Sequence, residues 1–172
     1  MDSDCTHILC VDSDLGWESS QVVKMLLAGK EIVAGVYPSR GENSFTFRPF
    51  LNENGSIQTE GHLLKMEYIP AGFMLMQRSA LEKMKTKFPE LYFQPKNDQL
   101  KHADGYCFFE AGVWEGEFWG EDYTFCRRAR EAGLDIWVDP LIKFNHAGRC
   151  GFLLQALTQK PDGEMEEKKD GV

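Results

Sequence analysis

Asp12 and Asp14 stand two residues apart in Asp12-Ser13-Asp14, directly after the apolar run His7-Ile8-Leu9-Cys10-Val11. Two carboxylates at that spacing can reach one hard divalent cation, which takes oxygen ligands. A second acidic pair, Glu121-Asp122, follows Trp119-Gly120, and His146 precedes Ala147-Gly148. A carboxylate beside a hydroxyl can take its proton, and an imidazole can join oxygen ligands around a transition-metal ion. Each feature also has an ordinary reading. Acid pairs are common in water-facing turns, carboxylates at a helix start are favoured by the dipole and the free N–H groups, and a lone histidine is more often a surface or satisfied core residue than a ligand.

The elements that must position these groups follow from pattern and punctuation. The run 7–11 reads as a buried strand, and ligands of open α/β sheets lie beyond the carboxyl ends of strands. The acids of positions 12 and 14 therefore sit where a metal-bound phosphate is expected. Residues 17–30 read as a helix with Val22, Val23, Leu26 and Leu27 as its apolar stripe and Gly29 as its stop. Residues 31–37 form a second buried strand ended by Pro38, which makes the helix the crossover of a right-handed parallel unit. Residues 39–62 are polar, with a turn signal at Asn52-Glu53-Asn54-Gly55, and suit a small β-hairpin excursion. Strands are expected over 63–69 and 72–77. A helix capped by Ser79 then runs to about Lys87, before Pro89. Residues 88–103 read as loop and 105–114 as an aromatic strand. Residues 121–132 form a helix with Gly133 at its C′ position, and 135–138 a strand. Residues 143–146 are a short extended piece, and 152–157 a last apolar turn. No internal repeat is visible.

At 172 residues the chain is long enough for one domain with a real core. We expect a single domain over residues 1–157 and a charged, disordered tail over 158–172. The net charge of −8 argues against nucleic acid held through phosphate contacts. No apolar stretch is long enough to span a bilayer, and no segment has the build of a signal peptide. The five cysteines are odd in number, scattered and without paired zinc-ligand spacing; Cys10 packs in the first strand. A reduced, cytoplasmic setting is the expectation.

The order of these blocks is similar to that of GT-A glycosyltransferases, in particular the family 2-like enzymes that use nucleotide sugars. The resemblance is carried by His7 to Asp14 with Gly16-Trp17, by Val33-Ala34-Gly35-Val36-Tyr37-Pro38, and by Pro70-Ala71-Gly72-Phe73-Met74-Leu75-Met76. It continues through Gly120-Glu121-Asp122-Tyr123-Thr124-Phe125-Cys126-Arg127-Arg128-Ala129, Ile136-Trp137-Val138-Asp139-Pro140 and His146-Ala147-Gly148, and so runs over roughly residues 5–148. It implies a GT-A-like (Rossmann-like) α/β domain around a mostly parallel sheet. The implied activity is metal-dependent transfer of a sugar, from a UDP-sugar in the first instance, to a hydroxyl acceptor on a glycan, protein or small molecule. Carried over by position, Asp12 and Asp14 meet the divalent metal and, with Ser13, the donor; His146 is a further metal ligand. Glu121 or Asp122 is the general base, and Trp119 with Ala71 and Gly72 borders donor sugar and acceptor. The implied cofactor is Mn²⁺ or Mg²⁺, an imidazole ligand tilting the choice toward Mn²⁺.

GT-A domains begin with a β-α-β-α region upstream of the D-x-D strand, whereas this chain opens a few residues before it; relative to the family it is N-terminally truncated. The strand edge so exposed invites a second copy or a partner chain. The alternative to an enzyme is a non-catalytic or half-site chain that needs such a partner to bind the donor. From the residues themselves, Tyr37-Pro38 with Arg40 can shape a donor loop, Arg40 meeting a phosphate, although such an arginine is commonly a solvated charge. Aromatics at 106, 108, 109, 114 and 118 read first as core. His62 and His102 read as ordinary surface residues, and Arg127, Arg128 and Arg130 as the solvated face of their helix. Other acid-pair readings fit less well. Gly16 stands where a haloacid-dehalogenase-type phosphatase has Thr or Val, Trp17 and Val23 where an EF-hand has Gly and Glu, and the dinucleotide glycine fingerprint is missing.

Overall fold

The computed structural model describes residues 4–37, 47–96, 104–142 and 144–146, with the backbone alone for Asn145 and His146. In chain order the elements are β1 (His7–Val11), β2 (Leu15–Gly16), α1 (Ser19–Leu27), β3 (Ile32–Ala34), β4 (Arg48–Pro49), β5 (Thr59–Glu60), β6 (Leu63–Tyr68) and β7 (Phe73–Gln77). They continue with α2 (Arg78–Lys87), a 3₁₀ turn (Pro89–Leu91), β8 (Tyr92–Phe93), β9 (Gly105–Tyr106), β10 (Gly112–Trp114), β11 (Glu117–Trp119), α3 (Glu121–Glu131), β12 (Ile136–Val138) and β13 (Asn145–His146).

Seven strands form the main sheet, in the order β1-β7-β3-β12-β6-β4, with β5 also paired to β6. The fold is mixed α/β, but the sheet is mostly antiparallel, which corrects the expected mostly parallel arrangement. Among the described residues only β3 and β12 pair in parallel; β1–β7, β7–β3, β12–β6, β6–β4 and β6–β5 are all antiparallel. The physical reason is an insertion. Helix α1 carries the chain from β1 to a strand of the same direction, as a crossover does, but β3 lands two positions away. β7 fills the gap in the opposite direction, bonded to β1 on one side and β3 on the other.

Side chains alternate across the sheet with the period of two that a pleated strand imposes. Ile32, Ala34, Met66, Met74, Met76, Ile136 and Val138 face one way, where Ala80, Leu81 and Met84 of α2 and Phe125, Cys126 and Ala129 of α3 cover them. Val33, Phe73, Leu75 and Trp137 face the other way and meet Met25 and Val22 of α1. Two helices thus cover one face and one the other. Ile8 and Cys10 join the first core and Leu9 the second, so β1 sends even-numbered side chains toward α3.

Element ends follow local chemistry. Glu18 precedes α1, its N–H donating to Gln21 Oε1 at 2.7 Å, a partner that an otherwise orphaned helix-start donor requires. Gly29 and Gly133, with φ of 63° and 78°, stop α1 and α3 where expected. Gln77 rather than Ser79 precedes α2; the helix follows β7 without a linker. The hairpin signal at Asn52 is real. Asn52 N–H donates to Ser56 O at 2.7 Å and Gly55 N–H to Asn52 O at 2.9 Å, closing a small excursion between β4 and β5. The expected strand over 105–114 is instead two pieces, β9 against β8 and β10 against β11. Glu115 and Gly116, at φ 51° and 84°, turn the latter pair as a tight hairpin. The segment from residue 147 on, including the expected apolar turn and tail, lies outside the described residues.

Candidate functional site

The D-x-D segment leaves β1 as a β-turn. Leu15 N–H donates to Asp12 O at 3.2 Å, which places Asp12 first and Asp14 third in the turn, positions where short acidic side chains are at home. Asp12 and Ser13 are exposed and Asp14 half-buried. The turn is fixed to the neighbouring strand by Asp12 N–H, which donates to Gly72 O at 2.8 Å. β2 then pairs with β13 in a register that sets His146 opposite Leu15 and Asn145 opposite Gly16. The backbone of His146 therefore stands beside the residue that follows Asp14, although 131 positions separate it from Leu15 in sequence.

Tyr37, just beyond β3, reaches across to the same place. Its hydroxyl donates to Asp12 Oδ2 at 3.2 Å and accepts from the Gly72 N–H. The approach is possible only because position 72 has no side chain: a Cβ there would overlap the Tyr37 hydroxyl and Asp12 Oδ2. Burial, and then the Asp12 carboxylate, push the Tyr37 hydroxyl well above its usual range. It is therefore a donor at any physiological pH.

Asp122 enters from the opposite side, in the first turn of α3 with Glu121. Its carboxylate is half-buried and accepts a hydrogen bond from the Ala71 N–H. Asp12 and Asp122 are thus anchored on adjacent residues, one on Gly72 and the other on Ala71. Burial raises the Asp122 pKa above the ordinary carboxylate value; the Ala71 bond works against this, and the charges of Glu121 and Asp12 add to it. Cys10 completes the group. It is half-buried, and burial followed by the charges of Asp122 and Asp12 raises its thiol pKa. Its place here was missed in the sequence, although the signal was present: Cys10 and Asp12 are two apart on a strand and so share a face.

The structure thus brings together Asp12, Tyr37, Ala71, Gly72 and Asp122 among the expected residues. Glu121 is exposed beside them. Trp119 points elsewhere, its ring meeting Tyr68 edge-on at 5.0 Å and Trp114 at 5.8 Å between centroids. Its Nε1 is buried with no hydrogen-bond partner among the described residues. Arg40 and the side chain of His146 lie outside the described residues. The helix face expected to be solvated is not uniformly so. Arg128 is buried, donating to Cys107 O at 2.8 Å, Phe108 O at 3.0 Å and Glu110 Oε2 at 2.7 Å. His62, expected as an ordinary surface side chain, is exposed but stands 3.5 Å from the buried carboxylate of Asp139.

Among the described residues no three His, Cys, Asp or Glu side chains stand close enough together to hold a metal ion. Among the described residues the donors on offer are the two carboxylates of one turn, Asp12 and Asp14. That pair fits a cation whose remaining ligands come from an imidazole or from substrate phosphates and water, the latter usual for Mg²⁺.

No family model and no curated protein matches the sequence. Among solved structures the chain is similar to A197 from STIV, at 16% identity and a TM-score of 0.44, over 83% of this chain. The match spans 58% of A197.

Proposed function

We propose that this chain is a GT-A-type glycosyltransferase that moves a sugar from a nucleotide sugar, a UDP-sugar in the first instance, to a hydroxyl acceptor. The observation that carries the reading is the pair Asp12 and Asp122, held on the adjacent residues Gly72 and Ala71 at the mouth of the sheet. One carboxylate ends a strand and the other opens a helix, which gives the site two acids of different character.

The proposed division of labour follows from those environments. Asp12 and Asp14, on the turn after β1, are suited to hold a divalent cation against the donor diphosphate, with His146 as the third protein ligand. Mn²⁺ or Mg²⁺ bound there supplies charge neutralisation for the departing nucleoside diphosphate. Asp122, half-buried and bonded to the Ala71 N–H, is suited to take the proton of the acceptor hydroxyl; a base whose pKa is raised by burial is better matched to neutral pH than an ordinary carboxylate. Glu121 is its exposed neighbour. Ser13 and the Ala71-Gly72 turn border the donor, and Arg40 meets a donor phosphate.

Release of UDP from UDP-sugars, measured with Mn²⁺ and a panel of hydroxyl acceptors, tests this. Turnover that needs both metal and acceptor supports it. The second reading, a half-site chain that needs a partner to hold the donor, is favoured by the edge of β1, which no strand among the described residues pairs. It predicts no release from the isolated chain at any metal concentration.

A further inference from the structure

An exposed carboxylate on a strand-end turn has two side-chain torsions to immobilise before it can hold anything, and that ordering opposes binding. Asp12 is such a group, but it is not left to rotate. The Tyr37 hydroxyl holds Oδ2, while the Asp12 backbone is tied to Gly72. Tyr37 is itself fixed, by the Gly72 N–H at its hydroxyl and by the edge of the Phe144 ring, 5.9 Å away between centroids. Phe144 packs on Phe73 at 4.8 Å and precedes β13. One tyrosine thus joins the D-x-D turn, the 71–72 turn and the segment that leads to His146.

We infer that Tyr37 is a positioning residue: it acts through Asp12, presetting that carboxylate for ligand binding, and does not touch the ligand itself. The claim about affinity rests on the reading above, whereas the claim that Tyr37 orients Asp12 does not. Gly72 belongs to the same device, because any side chain there would occupy the space in which the hydroxyl and the carboxylate meet. Partners that orient ligating carboxylates commonly change affinity by about 10–100-fold when removed.

Tyr37→Phe isolates the hydroxyl while leaving the ring against Phe144. Three measurements on the full chain decide the matter: the urea midpoint, the affinity for UDP with Mn²⁺ by calorimetry, and the ¹³Cγ shift of Asp12 in carboxyl-labelled protein at fixed neutral pH. The expected result is a chain that stays cooperatively folded, its midpoint lowered by no more than one lost hydrogen bond accounts for, with affinity for UDP with Mn²⁺ weakened about 10-fold or more and a moved Asp12 ¹³Cγ signal. Wild-type affinity in Tyr37→Phe overturns the positioning role, as does an Asp12 signal that does not move. If the wild-type chain takes up no UDP with Mn²⁺, the glycosyltransferase reading fails separately, and the Asp12 signal still decides whether Tyr37 orients the carboxylate. Should Tyr37→Phe fail to fold, Asp12→Ala carries the test from the other side. The Tyr37 ¹³Cζ signal must then shift, and an unshifted signal refutes the contact.

Discussion

At the scale of single residues the site rests on two aspartates in unlike surroundings. Asp12 is exposed and held by a hydroxyl; Asp122 is half-buried and held by a backbone N–H. Burial raises the Asp122 pKa in the folded chain, so its ionised form is disfavoured there. The sign follows directly. A carboxyl whose folded pKa lies above its unfolded value supports folding at acid pH and loses that contribution as pH rises through the folded pKa. Asp122→Asn, neutral at all pH and able to accept from Ala71 N–H, is therefore expected to fold at least as stably as wild type at pH 7. The same substitution should lower turnover by about 10²–10⁴-fold if Asp122 is the base. The acid limb of the kcat/KM profile should lie above the usual aspartate range and vanish in the variant. A variant that is less stable at pH 7, or one that retains full turnover, contradicts the role assigned to Asp122.

At the scale of elements, α3 does two jobs: it presents Asp122, and through Arg128 it holds the chain that leads into the β10–β11 hairpin. The guanidinium satisfies two carbonyls, of Cys107 and Phe108, and pairs with Glu110. Leaving buried acceptors unmet costs about 1–3 kcal/mol, so Arg128→Met should lower stability by about that amount, seen as a fall in the urea midpoint. An unchanged midpoint would show that water replaces the guanidinium at no cost. The same helix marks how far local pattern reaches. Its limits, its acidic start and its Gly133 stop were legible because each depends on residues a few positions apart. The burial of Arg128 was not, because its partners lie 18–21 positions back along the chain. The β10–β11 hairpin escaped notice because Glu115-Gly116 is not among the strongest hairpin dipeptides. β1, β3, β6 and β7 were found, shorter in the case of β3, whereas strand order was not: β7 pairs with β1 across more than 60 residues. Nothing local announces such an insertion. The sequence marks Tyr37 as a site residue, but its bond to Asp12, 25 positions away, is visible only in three dimensions.

At the scale of the whole molecule the sheet is covered by helices on both faces, and among the described residues its β1 edge is unpaired. Thr6 O accepts from Arg78 N–H, and Asp12 N–H donates to Gly72 O. The even-numbered residues of β1 thus face β7, and His7, Leu9 and Val11 turn their N–H and C=O groups outward. Among the described residues no strand pairs there. Native proteins commonly guard such an edge with lysine, proline or a bulge; His7–Val11 contains no lysine or proline and pairs with β7 without a break. Hydrogen exchange should therefore show slow amides at Ile8, Cys10 and Asp12 and fast ones at His7, Leu9 and Val11. Equal protection of all six would show that another strand, from this chain or a partner, covers the edge. No helix among the described residues is long and apolar enough to cross a membrane. The central claim is that the turn after β1 holds a metal-bound nucleotide sugar. Calorimetric titration of the intact chain with a UDP-sugar, with and without Mn²⁺ and repeated on Asp14→Ala, tests it most directly. Binding that needs Mn²⁺ and disappears in Asp14→Ala, while the variant stays folded, is the expected result; equal affinity without metal, or wild-type affinity in Asp14→Ala, would refute the metal-bound donor at this turn.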